Sequence, residues 1–188
     1  WFGDPSNKDI HSYTTTIRGQ KITFVGYHQF ANQGLNTVLD DIRIAKENGS
    51  FVIVYPHWGE EYKKFVTKTQ IDTAHAFIDA GADLILGSHP HVIEPVEVYK
   101  GKAIFYSLGN FIFDQSNNGP TSEGLSVGIA ISEHEVIYYL FPLTIRMAQA
   151  SLMPYKERGI LLTDIALRSE VEDDIKTQIK IGKIRLKK

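Results

Sequence analysis

Two short apolar runs constrain this chain more than any other feature. Phe51-Val52-Ile53-Val54-Tyr55 and Asp83-Leu84-Ile85-Leu86-Gly87-Ser88 read as buried strands, the first apolar and β-branched throughout. A run of that kind fills a strand covered on both faces, as in a sheet flanked by helices. Each run ends at a proline flanked by histidine: Pro56-His57 in the first case, His89-Pro90-His91 in the second. Proline has no N–H and a fixed φ, so it ends the ladder and stiffens the adjoining chain. Residues two apart on an extended chain point the same way, so His89 and His91 are expected to aim at one point. Neutral imidazole is a common ligand for transition metals, and ligands in α/β sheets gather at the carboxyl ends of strands. His57, His89 and His91 are therefore candidate metal ligands. The plainer alternative is a set of loop histidines bonded to backbone.

Helical patterns separate the strands. Asn36 can cap a helix over Thr37–Asn48, with Val38, Ile42 and Ala45 on one face and Gly49 as its stop. Thr67 or Thr69 can cap a second helix running to Ala80 and stopping at Gly81. Ile71, Ala74, His75 and Ile78 form a stripe at helical spacing, which places His75 against the core or at its edge. With a strand at Lys21–Tyr27, these make two strand–helix–strand passages, which argue for parallel pairing. A further strand is expected at Ser12–Ile17, joined by a turn at Arg18-Gly19-Gln20. From Val96 the pattern changes to hairpins: Val96–Tyr99 with Ala103–Leu108, then Leu125–Ile131 with Val136–Thr144. His134 falls in the second hairpin turn and is expected in solvent, while His11 and His28 have no partner in sequence. Ser116–Ser122 is a polar Gly/Pro/Asn loop. Gly159–Arg168 reads as a short helix, followed by an acidic patch at Glu170, Glu172, Asp173 and Asp174. Lys180–Lys188 alternates apolar and basic residues, as an edge strand does. The fold class is thus α/β, a mixed sheet with strand–helix–strand units followed by β-hairpins. Residues 1–150 form its main body, and 151–188 an extension packing on the same domain.

Composition narrows the chemistry. The 188 residues are 43% apolar, ordinary for a globular chain. A net charge of −2 supplies no field favouring nucleic acid. With no cysteine, any metal must be held by His, Asp, Glu or Asn. No run of about 18 apolar residues exists.

Several unusual strings occur in order: Pro56-His57-Trp58-Gly59-Glu60-Glu61-Tyr62, Asp79-Ala80-Gly81-Ala82-Asp83, Gly87-Ser88-His89-Pro90-His91-Val92, Gly101-Lys102 and Phe105-Tyr106-Ser107-Leu108-Gly109-Asn110-Phe111. Over roughly residues 10–115 this resembles the poly-γ-glutamate capsule-synthesis (CapA-type) family, which is similar in fold to calcineurin-like metallophosphoesterases. The resemblance implies the second half of a layered metallophosphoesterase-like α/β sandwich. It implies that His57 and His89 bind one divalent metal (Mn, Zn or Fe) and that His91 serves another. The early aspartate motif, acidic residue and Asn-His pair of the family have no counterpart here. The chain is therefore expected to be the carboxyl-terminal part of a longer protein, with a dinuclear centre only once the upstream half is present.

His57, Glu61 and Asn110 are the candidate catalytic residues. Glu61 can orient a histidine, touch substrate, or be a surface glutamate. Asn110 is expected to line the cleft and Trp58 to shield its rim. The implied partners are the upstream half or a partner chain, capsule-synthase membrane subunits and anionic polyglutamate. The implied location is extracytoplasmic, through a membrane anchor upstream. The implied activity is metal-dependent hydrolysis, against the alternative of a non-catalytic subunit that binds polymer or synthase.

Overall fold

The computed structural model describes residues 11–31, 34–115 and 119–188. Its spine is a six-stranded sheet: β1 (Ser12–Ile17), β2 (Gln20–His28), β3 (Phe51–His57), β4 (Leu84–Leu86), β5 (Val96–Tyr99) and β6 (Lys102–Phe105). The strand order is β1-β2-β3-β4-β6-β5. The central strands β2, β3, β4 and β6 are parallel, and β1 and β5 close the edges antiparallel. The chain is an α/β protein with a mixed sheet.

Alternation along the central strands explains why they are continuously apolar. Phe51, Ile53, Leu84, Ala103 and Phe105 enter one core cluster, while Val52, Val54, Ile85 and Ile104 enter the other. Helices α1 (Leu35–Glu47) and α2 (Lys68–Ala80) cover the second cluster with Val38, Ile42, Ala45, Ala74, Phe77 and Ile78. The first cluster is closed by a second sheet, β7 (Glu123–Ile131), β8 (Glu135–Arg146), β9 (Gln149–Leu152) and β10 (Lys183–Lys187), together with α3 (Tyr155–Arg168) and α4 (Asp173–Lys180). Tyr138 of β8 meets Phe105 of β6 edge-on at 6.0 Å, and Ile165, Ile179 and Ile184 are fully buried beside them. Each such side chain contributes roughly 1.5–3 kcal/mol by leaving water.

Local signals account for most boundaries. Thr67 accepts from Gln70 N and the Gln70 side chain answers from Thr67 N, the reciprocal capping box that starts α2. Gly81 ends that helix at φ +117°, which a side chain would resist. α1 begins earlier than the Asn36 cap implies: Asn36 lies in its first turn, and Gly34 precedes the helix without a side-chain cap. The strand read over Asp83–Ser88 narrows to Leu84–Leu86, and the one read over Ala103–Leu108 ends at Phe105. At Gly87 a Cβ would overlap the Tyr106 carbonyl and the Trp58 indole nitrogen, so only glycine lets β4 leave the sheet there. Of the polar loop at 116–122, residues 116–118 lie outside the described residues, and Gly119–Ser122 forms one 3₁₀ turn.

The acidic patch is the start of a helix. Asp173 and Asp174 occupy the first turn of α4, where the helix dipole favours negative charge, and Ile175 and Ile179 are buried one turn apart. β10 is an edge strand pairing β8 antiparallel. β9 had no strand signal: its turn from β8 is Met147-Ala148, at φ +48° and +58°. Those angles belong to a two-residue hairpin turn that usually carries Asn or Gly.

Candidate metal centre

The four parallel strands all end on the same side of the sheet, and each delivers a polar residue there. β2 ends at His28 and β3 at His57, which face each other in register. The segment after β4 carries His89 and His91, and the segment after β6 carries Asn110. Backbone bonds knit these segments together. Gln29 N donates to the His57 carbonyl at 2.9 Å, Trp58 N to Ser88 O at 3.1 Å, Ser88 N to Pro56 O at 2.9 Å, and Tyr62 N to Pro90 O at 2.8 Å.

The histidines form a row. Ring centroids lie 4.6 Å apart for His28–His57, 4.5 Å for His57–His89 and 6.1 Å for His89–His91. His89 and His91 do meet the same space, but not by extended geometry. Their φ angles are +100° and +61°, so a kinked backbone on either side of Pro90 turns the rings inward. Tyr62 joins them at φ +65°. Such angles cost a non-glycine residue energy and persist where surrounding structure enforces them, often at functional sites.

The donor atoms of Glu61, His89 and His91 all lie within 4.8 Å of one another, a spacing that one ion can bridge. His57 flanks this set beside His89 without belonging to it. Glu61 Oε1 stands 3.8 Å from His91 Nε2. Burial, then the neighbouring His89, His28 and His91, push the His57 imidazole down to about 4. Burial also lowers His89, against the opposing pull of Glu61. Both rings are thus held neutral near pH 7, the state that offers a lone pair to a metal. One carboxylate and two imidazoles, with no thiolate, suit a borderline divalent ion such as zinc or manganese.

Aromatic side chains surround the donors. Phe30 lies 4.7 Å from His89, Tyr62 stacks 5.9 Å from His91, and Phe113 lies 5.0 Å from His91. Trp58 is not among them. It is fully buried, stacked on Phe77, with its indole N–H donating to Tyr106 O at 2.8 Å. It braces the β3 exit from below rather than covering the rim. Asn110 is 7% exposed, with its side chain bonded to His91 at 2.8 Å. Glu60 is exposed. His75 sits at the core edge, bonded to Glu97 at 2.7 Å and stacked on Tyr99. His134 is in solvent. Sequence reasoning missed His28, whose signal was its place at the end of a strand parallel to β3.

Behind the loop, Glu94 is 1% exposed and accepts from Gln70 Nε2 at 2.8 Å. Burial raises its carboxyl to about 8, against the smaller opposing effects of Gln70 and Arg168. A carboxyl raised on folding leaves stability intact below its unfolded value near 4.5 and removes it as pH climbs through about 8. The unfolding free energy is therefore expected to fall by roughly 2–4 kcal/mol between pH 5 and pH 8. Glu94→Gln should flatten that decline in denaturant titrations across this range. An unchanged slope would mean that Glu94 ionises freely in the fold.

The fold and site describe an α/β protein with a candidate divalent-metal centre at the carboxyl ends of its parallel strands. The chain belongs to the bacterial capsule synthesis protein PGA_cap family, whose profile matches residues 4–115. It is similar to the PGA biosynthesis protein CapA of Bacillus subtilis, 56% identical over 71 residues, which cover 38% of this chain and 19% of that protein. It is similar to the capsule biosynthesis protein CapA of Bacillus anthracis, 54% identical over 70 residues, 37% of this chain and 17% of that one. A third relative, named a probable polyglutamine synthesis accessory protein of Mycobacterium tuberculosis, is 35% identical over 74 residues, 39% of this chain and 20% of the relative. The chain thus spans about a fifth of the length of these curated relatives.

Proposed function

We propose that the protein takes part in capsular poly-γ-glutamate biosynthesis or export, outside the cytoplasm and beside the capsule synthase, through a divalent metal held by Glu61, His89 and His91. The observation that carries this reading is the convergence of those three donors within 4.8 Å, on segments that end adjacent parallel strands of a capsule-synthesis family member. A divalent ion bound there would supply Lewis-acid polarisation of a substrate oxygen and lower the pKa of water. The chain's own residues do the rest. His89 and His91 would present ring nitrogens to the ion, and Glu61, half-exposed beside His91, would supply the carboxylate. His57 lies beside His89 and would hold a second ion where further carboxylates join the site. Phe30, Tyr62 and Phe113 limit water around the donors. Hydrolysis of a phosphoester or similar polar bond is the chemistry this set supports.

A second reading, a non-catalytic subunit that keeps the site for binding, draws on the relative named an accessory protein. Cells carrying His89→Ala in the intact protein test the first reading. Polymer yield should collapse while the protein accumulates normally, and phosphoesterase activity of the purified metal-loaded protein should vanish with it. Unchanged polymer yield would overturn the metal-dependent role. Lost yield with no hydrolytic activity in the parent protein would select the binding reading.

A further inference from the structure

Asn110 makes two hydrogen bonds that together fix more than its own position. Its Nδ2 donates to the Thr121 carbonyl at 2.9 Å, and its Oδ1 lies 2.8 Å from His91 Nδ1. A backbone carbonyl only accepts, so the amide group has one allowed orientation. Turning it over would set two acceptors against each other at Thr121. Oδ1 is therefore the atom facing His91, and it too can only accept. His91 Nδ1 must carry the hydrogen, which leaves the Nε2 lone pair unoccupied on the side where Glu61 stands at 3.8 Å.

The backbone around Asn110 is equally determined. Gly109 takes φ +70° and bridges Gly124, Leu125 N donates to Leu108 O at 2.8 Å, and a Cβ on Gly124 would overlap the Asn110 carbonyl. The start and end of the excursion between β6 and β7 are thus clamped together at the residue that touches His91.

We propose that Asn110 is a positioning residue that locks His91 in its Nδ1–H form, so that Nε2 is presented to the metal before any ion arrives. The purpose of this lock rests on the metal reading above, but the tautomer is a property of the ion-free protein and can be read without it.

The test is long-range ¹H–¹⁵N correlation NMR of the ion-free chain, labelled at histidine, at pH 8, combined with zinc titration calorimetry. In the parent protein His91 should show a protonated Nδ1 and an unprotonated Nε2. Asn110→Ala should lose that signature and weaken zinc binding by about 10–100-fold. Asn110→Asp keeps an acceptor on Nδ1 and should retain the signature, although its second oxygen, set against the Thr121 carbonyl, loses the bond to that loop. A protonated Nε2 in the parent protein overturns the proposal whatever the zinc affinity. Unchanged zinc affinity in a folded Asn110→Ala variant overturns it as well. A parent chain that shows the expected tautomer yet binds no zinc supports the lock and overturns the metal reading instead.

Discussion

Replacing His89 with alanine is expected to lower the affinity of the chain for zinc or manganese by more than about 100-fold, beyond the 10–100-fold typical of losing a residue that merely supports a ligand. The thermal midpoint should move by only about 2 °C, because the residue sits on a strand-exit segment outside both core clusters. Glu61→Gln should weaken binding comparably, since it removes the only carboxylate of the donor set. His57→Ala should weaken it far less, because His57 lies beside that set. Titration calorimetry with the three variants ranks them directly. Should His57→Ala abolish binding while Glu61→Gln leaves it intact, the ion sits between His57 and His89 and the Glu61 assignment is wrong.

The second large effect lies at the opposite end of β4. Asp83 is 2% exposed, accepts from Lys46 Nζ at 2.7 and 2.8 Å, from Lys102 Nζ at 3.1 Å, and from Val52 N at 3.0 Å. One carboxylate thereby ties α1, β3, β6 and the entry of β4. Asp83→Ala should destabilise the fold by roughly 2–4 kcal/mol. That is somewhat below the cost of breaking a fully buried pair, because both lysines keep access to water. At roughly 2–4 °C per kcal/mol for a chain of this size, the midpoint should drop by about 5–15 °C. Lys46→Met should cost under about 1.5 kcal/mol, since Lys102 remains. Metal affinity should not change, because the site lies at the far ends of the strands. A loss below about 0.5 kcal/mol on Asp83→Ala in denaturant titrations would show that the lysine cluster contributes nothing to stability.

The elements that the sequence disclosed are those whose signals are local. The runs at Phe51–Tyr55 and Asp83–Ser88 announced buried strands, and Thr67, one of two candidate caps, announced the start of α2. β9 was invisible because Met147 and Ala148 adopt turn angles that neither residue advertises. α4 is hard to see because its acids read as a charged patch, although acids ahead of Ile175 and Ile179 are a helix-start pattern. In the site, the histidines marked the right end of the sheet, but the prolines did not mark the strand ends: β3 runs through Pro56 to His57, and β4 already ends at Leu86. His28 joined the row only because β2 pairs β3 in register, a tertiary fact. Trp58 went to the core because Gly87 leaves room for its indole against Tyr106, which no spacing in the chain reveals.

The parallel pairing of β2, β3, β4 and β6 also governs when the site exists. β2–β3 and β3–β4 are joined through helices and β4–β6 through β5, so these contacts are non-local and form only as the whole sheet assembles. In the unfolded chain His28, His57 and the His89-Pro90-His91 pair sit on separate flexible tethers, and Asn110 on another. The lone pairs converge only once the apolar faces have closed. The donor set proposed for a metal is thus a late product of folding rather than its driver. Chelator added to the zinc-loaded chain should leave the sheet standing, because Val, Ile and Leu packing holds the strands whose ends carry the donors.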